Sequence, residues 1–308
     1  MSAGPVTEPA RQPAPDGLVV VDKPAGWTSH DVVARLRRLA ATRRVGHAGT
    51  LDPMATGVLL VGIGRATRLL GHLALTDKAY LATVLLGTTT STDDADGEVL
   101  RTAPAAELAA VAALGEPGLR AALAGLTGEI EQVPPQVSAV KVAGRRSYAI
   151  ARAGERVELA ARRVTVHRLE LLALRRGDAL EADLDVVCSS GTYVRSLARD
   201  LGERLGCGGH LTALRRTRVG GFGIEAARTL DQLASDLDVV PLAAAVASAF
   251  PRRDVDAAQA ATVRHGGRLP AAGLGPGPVG VFGPDGAVLA LVEERDGAAR
   301  PLCVFVGG

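Results

Sequence analysis

The alternation of apolar and polar residues predicts strands at several places along the chain. From Ala182 to Cys188 every second residue is apolar and most of the others are acidic, as in an antiparallel strand with one face in solvent. Residues 80–85 alternate in a similar way, and VLLVGI at 58–63 is an apolar run of strand length. These patterns predict strands at 58–63, 80–85 and 182–188.

Helical periodicity marks several segments between these strands. Four apolar residues within 32–39 would share one face of a helix whose other face carries arginines. Thr28 or Ser29 is the expected N-cap of this helix. Two further helices are predicted at 104–115 and 116–126, the second with a proline near its first turn.

Composition limits the class of protein. The 308 residues are 47% hydrophobic and can form one large domain plus a small one. No apolar run has the length of a membrane span, and residues 1–16 read as a disordered Pro/Ala tail without the apolar core of a signal peptide. We therefore expect a cytoplasmic protein. The three cysteines lack Cys-x-x-Cys spacing, which argues against disulfides or a zinc site.

The distribution of charge is more informative than its total. A formal net charge of +2 is too small to indicate nucleic-acid binding, but seven pairs of adjacent arginines occur along the chain. The planar guanidinium suits phosphates and stacks on bases. A bias towards Ala, Gly and Arg would explain about half of these pairs as solvated residues.

The glycine-rich stretch GHAGTLDPMATG at 46–57 displays one carboxylate, Asp52, between a basic helical segment and an apolar strand. Pro53 disfavours the helical conformation for Asp52, and Gly46, Gly49 and Gly57 relieve steric limits around it. A reactive acid is one interpretation of this loop. The other is a structural loop in which Asp52 caps a turn, as in most Asp-Pro pairs.

This stretch resembles the signature GH(T/A)G(A/T)LDP(L/M)ATG of the TruB family of tRNA pseudouridine synthases. Further motifs resemble those of the same family in the same order, namely DKPxGxTS at 22–29, DKxY at 77–80, C-S-x-G-T-Y-(I/V)-R at 188–195 and L-R-R at 214–216. The resemblance covers nearly everything after Gly17. A single match would be a hint, whereas a series in order is specific.

The resemblance implies an α+β fold with two domains. We expect a catalytic domain of the pseudouridine synthase type at 17–245, built on a mixed, largely antiparallel sheet with an inserted thumb loop at about 128–156. A small β-rich, PUA-like domain is expected at 250–308. Short apolar strands after residue 277 fit this domain, although any small β-barrel would show the same pattern.

The family motifs imply catalytic roles for three residues. Asp52 would act at C1′ of the nucleoside, either by attacking the sugar or by removing its 2′-proton, and the sequence does not distinguish the two. Arg195 would pair with Asp52 and oppose the rise in its pKa that burial causes. Tyr193 would line the pocket as a proton acceptor. Without the motif, Tyr193 could be buried packing and Arg195 a surface cation.

Four residues are implied in substrate binding. Tyr80 would stack on the base, and His47 would occupy the place that the flipped base leaves. Leu214 would close the pocket wall, and Lys23 would support it. The alternatives are a core tyrosine, a structural histidine and a lysine at a strand end.

RNA contacts are expected in the thumb and near the L-R-R motif. The residues are Lys141, Arg145, Arg146 and Tyr148 in the thumb, and Arg215 and Arg216, which would face phosphate or the sheet edge. An ordinary exposed hairpin and helix would look similar to the thumb. The acidic stretch STDDADGE at 91–98 fails the EF-hand register and is predicted to be a polar turn.

The implied activity is isomerisation of uridine to pseudouridine at position 55 in the T-loop of tRNA. The reaction involves no redox change and no net water, so we expect no cofactor and no metal. We also expect a monomer that binds the T-stem-loop and no membrane. Two alternatives are an RNA-binding or tRNA-folding module with an incidental pocket, and an N-glycoside hydrolase, which would release free uracil.

Overall fold

The computed structural model describes residues 12–137 and 159–306, together with the backbone of Lys141–Val142 and Arg145–Arg146. The helices are α1 (Ser29–Leu39), α2 (Leu70–Leu73), α3 (Ala105–Ala124), α4 (Val194–Arg204), α5 (Leu230–Ser235), α6 (Leu242–Ala249) and α7 (Ala257–Arg264). The strands are β1 (Gly17–Lys23), β2 (Val45–Ala48), β3 (Thr56–Ile63), β4 (Lys78–Leu86), β5 (Thr88–Thr90), β6 (Val99–Thr102), β7 (Gly128–Gln132), β8 (Lys141–Val142), β9 (Arg145–Arg146), β10 (Arg162–Arg176), β11 (Leu180–Cys188), β12 (Gly209–Val219), β13 (Phe222–Gly223), β14 (Val240–Pro241), β15 (Arg252–Asp254), β16 (Leu269–Pro270), β17 (Pro278–Phe282), β18 (Val288–Arg295) and β19 (Ala298–Val304).

A ten-stranded sheet forms the centre of the molecule. Eight strands follow the order β14-β1-β3-β12-β4-β11-β10-β7, with β2 paired to β3 and β13 paired to β12. Of the strand pairs described in this sheet, β3 and β12 are parallel and all others are antiparallel. The predicted α+β fold with a mixed, largely antiparallel sheet is therefore confirmed.

The burial of β11 follows its sequence pattern. The apolar side chains at every second position from Ala182 to Cys188 are buried, and the acids between them lie on the opposite, wetter face. There Asp185 pairs with Arg168 of β10 at 2.7 Å. Exposed ion pairs of this kind contribute about 0–1 kcal/mol. The apolar face, packed into the core, is therefore the main source of stability for this part of the sheet.

Local sequence also sets the helix boundaries. Thr28, one of the two residues predicted as N-cap, begins α1: its hydroxyl accepts from Asp31 N at 3.1 Å, and the Asp31 carboxylate accepts from Thr28 N at 2.9 Å. The two helices predicted at 104–126 form α3, interrupted by a kink at Gly115, where φ is 62°. Glycine adopts this left-handed conformation without the steric cost that other residues pay.

The C-terminal part of the chain forms a second sheet of five strands in the order β15-β17-β18-β19-β16. Phe250, Phe282 and Phe305 pack in one buried cluster with Leu18 and Val20 of β1, so the second sheet rests against the first. The domain limits proposed above stay a prediction. None of the helices in the described part of the chain is long and apolar enough to cross a membrane.

The parallel pairing of β3 with β12 positions the Asp52 loop. Arg216 lies opposite Gly57, and a Cβ on Gly57 would lie 2.2 Å from the Arg216 carbonyl oxygen, at a φ of 96°. Only glycine fits this contact without a shift of backbone. Gly49 also has a positive φ, of 76°, whereas Gly46 does not. Two of the three glycines therefore provide the expected backbone freedom.

Candidate active site

A cavity of about 270 Å³ opens beside the Asp52 loop, at the centre of the large sheet. This volume is close to the lower end of small-molecule sites, roughly 300 Å³, and suits a group of the size of one base. Its walls come from the Asp52 loop, the start of β4, the turn before α4, and β12. Six of the predicted site residues line it, namely Asp52, Tyr80, Tyr193, Arg195, Leu214 and Arg216.

Asp52 and Arg195 form an ion pair at this cavity, although 143 positions separate them in the chain. Arg195 Nη2 donates to Asp52 Oδ1 at 3.2 Å, and Nε lies 3.0 Å from Oδ2 without the alignment of a hydrogen bond. The side chain of Arg195 is 5% exposed, whereas that of Asp52 is 34% exposed. The carboxylate is thus open to a ligand while its cation is covered.

Arg195 is shared with a second carboxylate that the sequence did not reveal. Its Nη1 lies 3.1 Å from Asp94 Oδ2, and both side chains are buried. The same guanidinium donates to the carbonyl oxygens of Thr92 at 3.0 Å and Val137 at 2.9 Å. The stretch predicted to be a polar turn therefore supplies a buried acid. The prediction missed it because an acidic turn in solvent and one that contacts a distant arginine have the same local sequence.

Opposing influences act on the pKa of Asp52. Burial is the largest, and it raises the pKa above the ordinary value. Arg195 and Lys23 lower it, and the neighbouring Asp94 adds to the rise. Arg195 therefore acts in the expected direction but does not outweigh burial.

Arg216 is a buried residue of the cavity wall. This corrects the expectation that it faces phosphate or the sheet edge. The side chain is buried, and Nε donates to Val58 O at 2.7 Å while Nη2 donates to Gly49 O at 3.0 Å. It lies opposite Tyr80 in the pairing of β12 with β4. Burial raises the pKa of the Tyr80 hydroxyl, and Arg216 opposes this rise. Arg216 thus connects the catalytic loop with the predicted stacking residue.

Lys23 does not reach the cavity, which corrects its assignment as a substrate-binding residue. The residue is 0% exposed, and Nζ donates to the carbonyl oxygens of Pro24 at 3.0 Å, Trp27 at 2.7 Å and Pro53 at 3.1 Å. Burial lowers its pKa to about 8, although Asp52 opposes the change. Lys23 ties the first motif to the residue after Asp52, so it supports the wall as expected.

His47 lies on β2 and is absent from the residues that line the cavity in the described structure. Its ring meets that of His30 edge to face, with 5.4 Å between the centroids, and Nδ1 is buried without a hydrogen-bond partner among residues 12–137 and 159–306. Burial, together with His30 and Arg216, lowers its pKa to about 4, so the ring is neutral near pH 7. Its role in base flipping stays a prediction.

The turn before α4 is held by Gln132, which sequence reasoning missed. Tyr193 N donates to Gln132 Oε1 at 2.8 Å, and Gln132 Nε2 donates to Tyr193 O at 3.1 Å. Thr192 donates to Ser189 O at 3.0 Å, and the N-cap position of α4 belongs to Tyr193. The contact spans 61 positions, so no local pattern could have indicated it.

The structure tells less about the other residues predicted to contact RNA. Arg215 donates to both carboxylate oxygens of Asp22, at 3.1 and 2.8 Å, so its guanidinium is already engaged. Lys141, Arg145 and Arg146 belong to the paired strands β8 and β9, of which the structure describes only the backbone. Tyr148 lies outside the described residues. These four thumb assignments stay predictions.

Family models match three consecutive parts of the chain. Residues 37–194 match the TruB family pseudouridylate synthase N-terminal domain. Residues 195–240 match the tRNA pseudouridylate synthase B C-terminal domain, and residues 250–306 match the tRNA pseudouridine synthase II C-terminal model.

Whole-chain comparisons agree with these matches. A protein of Thermobifida fusca named tRNA pseudouridine synthase B is 61% identical over 297 residues, which are 95% of this chain and 99% of the relative. A protein of the same name from Streptomyces griseus is 57% identical and covers 94% and 97% of the two chains. A solved chain titled as part of a Cbf5-Nop10-Gar1 complex superposes with a TM-score of 0.72 at 27% identity, covering 94% of this chain and 85% of that one.

The central mixed sheet and the carboxylate-guanidinium pair at its cavity place the protein among the pseudouridine synthases, which are isomerases. Among these enzymes, the chain is more than 50% identical, over nearly its full length, to proteins named tRNA pseudouridine synthase B. The chain belongs to the TruB family.

Proposed function

We propose that the protein isomerises uridine to pseudouridine at position 55 in the T-loop of tRNA. The observation that carries this proposal is the pairing of a partly exposed Asp52 with a covered Arg195 at the wall of a base-sized cavity. Relatives that span nearly the whole chain bear the name tRNA pseudouridine synthase B, which supports tRNA as the substrate.

The geometry supports the following course of reaction. The N1–C1′ bond breaks, and the electron pair stays with the uracil. Asp52, whose carboxylate faces the cavity, either bonds to C1′ or accepts the 2′-proton. When C5 later bonds to C1′, the bond from Asp52 to C1′ breaks, or the 2′-proton returns from Asp52 to C2′. The freed base rotates and C5 bonds to C1′. The proton at C5 passes to a base, for which Tyr193 on the cavity wall is our candidate, and N1 gains a proton.

The target uridine must leave its folded loop before it can reach Asp52. Flipping a base costs a few kcal/mol of stacking and pairing, which contacts in the pocket offset. Tyr80 lines the cavity with its hydroxyl protonated, which suits a stacking platform, and Leu214 lies on the neighbouring strand. These contacts would hold the everted base against Asp52.

Charge on the protein surface supports an RNA partner. Between Asp31 and Asp52 the chain carries five arginines and no acid. None of the five forms an ion pair with a carboxylate in the part of the chain that the structure describes. We call them the α1–β2 arginines: Arg35, Arg37, Arg38, Arg43 and Arg44. Guanidinium groups without a directly paired carboxylate, beside the strand that leads to Asp52, fit contacts to RNA phosphates.

We propose that the protein acts without metal or organic cofactor, because the reaction involves neither redox change nor net water. It acts as a monomer, since the residues around the cavity form a site within one chain. It acts in the cytoplasm, where the named substrate is found.

The test is conversion of a tRNA that lacks modification at position 55, followed by carbodiimide labelling of pseudouridine and assay of free uracil. We expect pseudouridine without released uracil. The Asp52→Asn variant should bind the tRNA and lose turnover. Release of uracil would instead indicate a hydrolase, and binding without conversion by the parent protein would indicate a binding module.

A further inference from the structure

Lys78 is a buried cation at the cavity that the reaction described above does not use. It begins β4, lines the cavity and is 6% exposed. Tyr80 lies two positions further along the strand, so both side chains project from the same face of the sheet. Arg216 of β12 lies directly opposite Tyr80 of β4, so its side chain projects from that face as well. The predicted stacking platform is thus flanked by two cations.

The contacts of Lys78 leave one of its N–H groups available. Nζ donates to Ala74 O and Thr76 O, each at 2.5 Å, and an ammonium has three donors. No other hydrogen bond or ion pair of Lys78 is seen within residues 12–137 and 159–306. Its Cε lies 3.9 Å from the position that a Cβ on Gly49 would occupy, so the end of the side chain lies beside the catalytic loop.

The two guanidinium groups at the cavity are held by contacts within the protein. Arg195 is engaged by Asp52 and Asp94 and by two carbonyl oxygens. Arg216 uses Nε and Nη2 for the carbonyl oxygens of Val58 and Gly49. Lys78 therefore keeps one N–H for a bound base, whereas the remaining N–H groups of Arg216 include one that interacts with the Tyr80 hydroxyl.

The charges of Lys78 and Arg216 are less directly compensated than the charge of Arg195. Arg195 faces two carboxylates, whereas neither Lys78 nor Arg216 forms an ion pair with any carboxylate described. A buried cation without an anionic partner is costly. Burial and the adjacent Arg216 accordingly lower the pKa of Lys78 to about 8, opposed by Cys188 and Asp77. An anion that arises within the cavity would be stabilised at this wall.

We propose that Lys78 is a catalytic residue that donates a hydrogen bond to the uracil as it leaves C1′ as an anion. This assignment rests on the proposed function. When the N1–C1′ bond breaks, its electron pair is delocalised over N1 and the two carbonyl oxygens of the uracil. The Lys78 ammonium donates to one of these oxygens and keeps its proton. C5 then bonds to C1′, the C5 proton passes to a base, and N1 takes up a proton.

A donor that acts on developing charge contributes more in the transition state than in the ground state. Loss of one such donor costs about 10²–10³ in rate. The contribution also depends on the leaving group, because a uracil that carries an electron-withdrawing substituent needs less help to hold negative charge. This dependence separates the proposed role from a purely structural role of Lys78 in holding the turn at Ala74 and Thr76.

The experiment compares parent and Lys78→Met in single turnover on a T-arm RNA with either uridine or 5-fluorouridine at the target position. Consumption of the N1-linked nucleoside, affinity for the RNA, and melting temperature are measured. For Lys78→Met we expect a loss of about 10²-fold on uridine, a clearly smaller loss on 5-fluorouridine, and affinity within about twofold of the parent. Lys78→Arg, which keeps the charge, should recover part of the rate.

Equal losses on the two RNAs, or no loss at all, would overturn the assignment. The same holds if Lys78→Gln, which can still donate to the turn but carries no charge, reacts as fast as the parent. A parent that forms no pseudouridine would overturn the proposed function and the assignment with it. A parent that reacts while Lys78→Met loses rate equally on both RNAs would overturn only the assignment.

Discussion

Gln132 and Tyr193 are joined by a reciprocal pair of hydrogen bonds, in which the side-chain amide of Gln132 binds both the N–H and the carbonyl oxygen of Tyr193. Gln132 ends β7 at the edge of the large sheet, and Tyr193 immediately precedes α4. Arg195 lies two residues further along. One buried amide thus sets the position of the turn that carries two of the residues assigned to catalysis.

Replacement of Gln132 by Ala should slow catalysis more than it weakens RNA binding. The change removes both hydrogen bonds, and unmade buried hydrogen bonds cost about 1–3 kcal/mol each. A shift of about 1 Å in the α4 turn can cost up to about 10²-fold in rate. The readout is the single-turnover rate at saturating tRNA, compared with the dissociation constant.

Gln132→Glu is the matched control for this prediction. It keeps the acceptor for Tyr193 N and loses the donor to Tyr193 O, so its rate should lie between those of the parent and Gln132→Ala. A variant that melts at lower temperature but turns over normally at saturation would show that Gln132 serves stability alone.

Arg195→Met should impair turnover and leave tRNA binding largely intact. Asp52 would lose the largest influence that lowers its pKa, so that pKa, already raised by burial, should rise further. Because we propose that Asp52 acts as a carboxylate, the acidic limb of the rate–pH profile should then move to higher pH. The profile is measured in single turnover on saturating tRNA.

Arg175→Met is a suitable comparison for Arg195→Met, since Arg175 forms exposed ion pairs with Glu181 and Asp183 on the sheet surface. Its rate and pH profile should match the parent. Arg195→Met with an unshifted acidic limb would argue that the guanidinium does not act on the ionisation of Asp52.

The α1–β2 arginines should contribute to tRNA affinity through phosphates. A double change of Arg43 and Arg44 to Gln should weaken binding and reduce the slope of log affinity against log salt by about 1 for each phosphate that the variant no longer binds. The rate at saturating tRNA should stay unchanged, because neither residue lines the cavity. Titrations at several salt concentrations provide the slopes.

Arg175→Gln controls for the general effect of removing positive charge, since its carboxylate partners already neutralise it. An equal change of slope in this control would mean that the effect comes from net charge and not from a local interaction.

His47 should make stability depend on pH in mildly acidic solution. Its pKa is lowered to about 4 in the folded protein, whereas in the unfolded chain it is near 6.5. Between these values the unfolded state binds the proton and the folded state does not, so the free energy of unfolding should decrease as pH falls from 6.5 towards 4. Urea unfolding of the parent and of His47→Gln across this range tests the expectation.

The variant should lose less stability than the parent over this pH interval. His265→Gln, at an exposed position, is the control and should follow the parent. Parallel curves for the parent and His47→Gln would contradict the assignment of this dependence to His47.

Several features of the fold could be predicted because their causes are local. The alternation along β11 and the Thr28 cap of α1 depend on residues within a few positions of each other. The Asp52 loop is equally compact, and its motif alone indicated Asp52 as the candidate acid. The predicted partner, Arg195, required the family resemblance, since nothing local connects it with Asp52.

The predictions were wrong for charged residues whose surroundings are set by distant segments of the chain. Arg216 and Lys23 are polar residues of the kind normally exposed, but here carbonyl oxygens of the catalytic loop region bind them within the interior. Asp94 appeared as part of a solvated acidic turn, and it is buried against Arg195. Each misassignment concerns a charge whose partner lies on another segment of the chain.

The sequence by itself determined several strands, the start of α1 and the reactive loop, because periodicity, capping and glycine conformation act over a few residues. Only the tertiary structure decided which charges meet. The passage of β12 alongside β3 and the packing of α4 near the Asp52 loop bring together groups more than a hundred positions apart. A buried charge is defined by what surrounds it in space, and that is settled only when the sheet has formed.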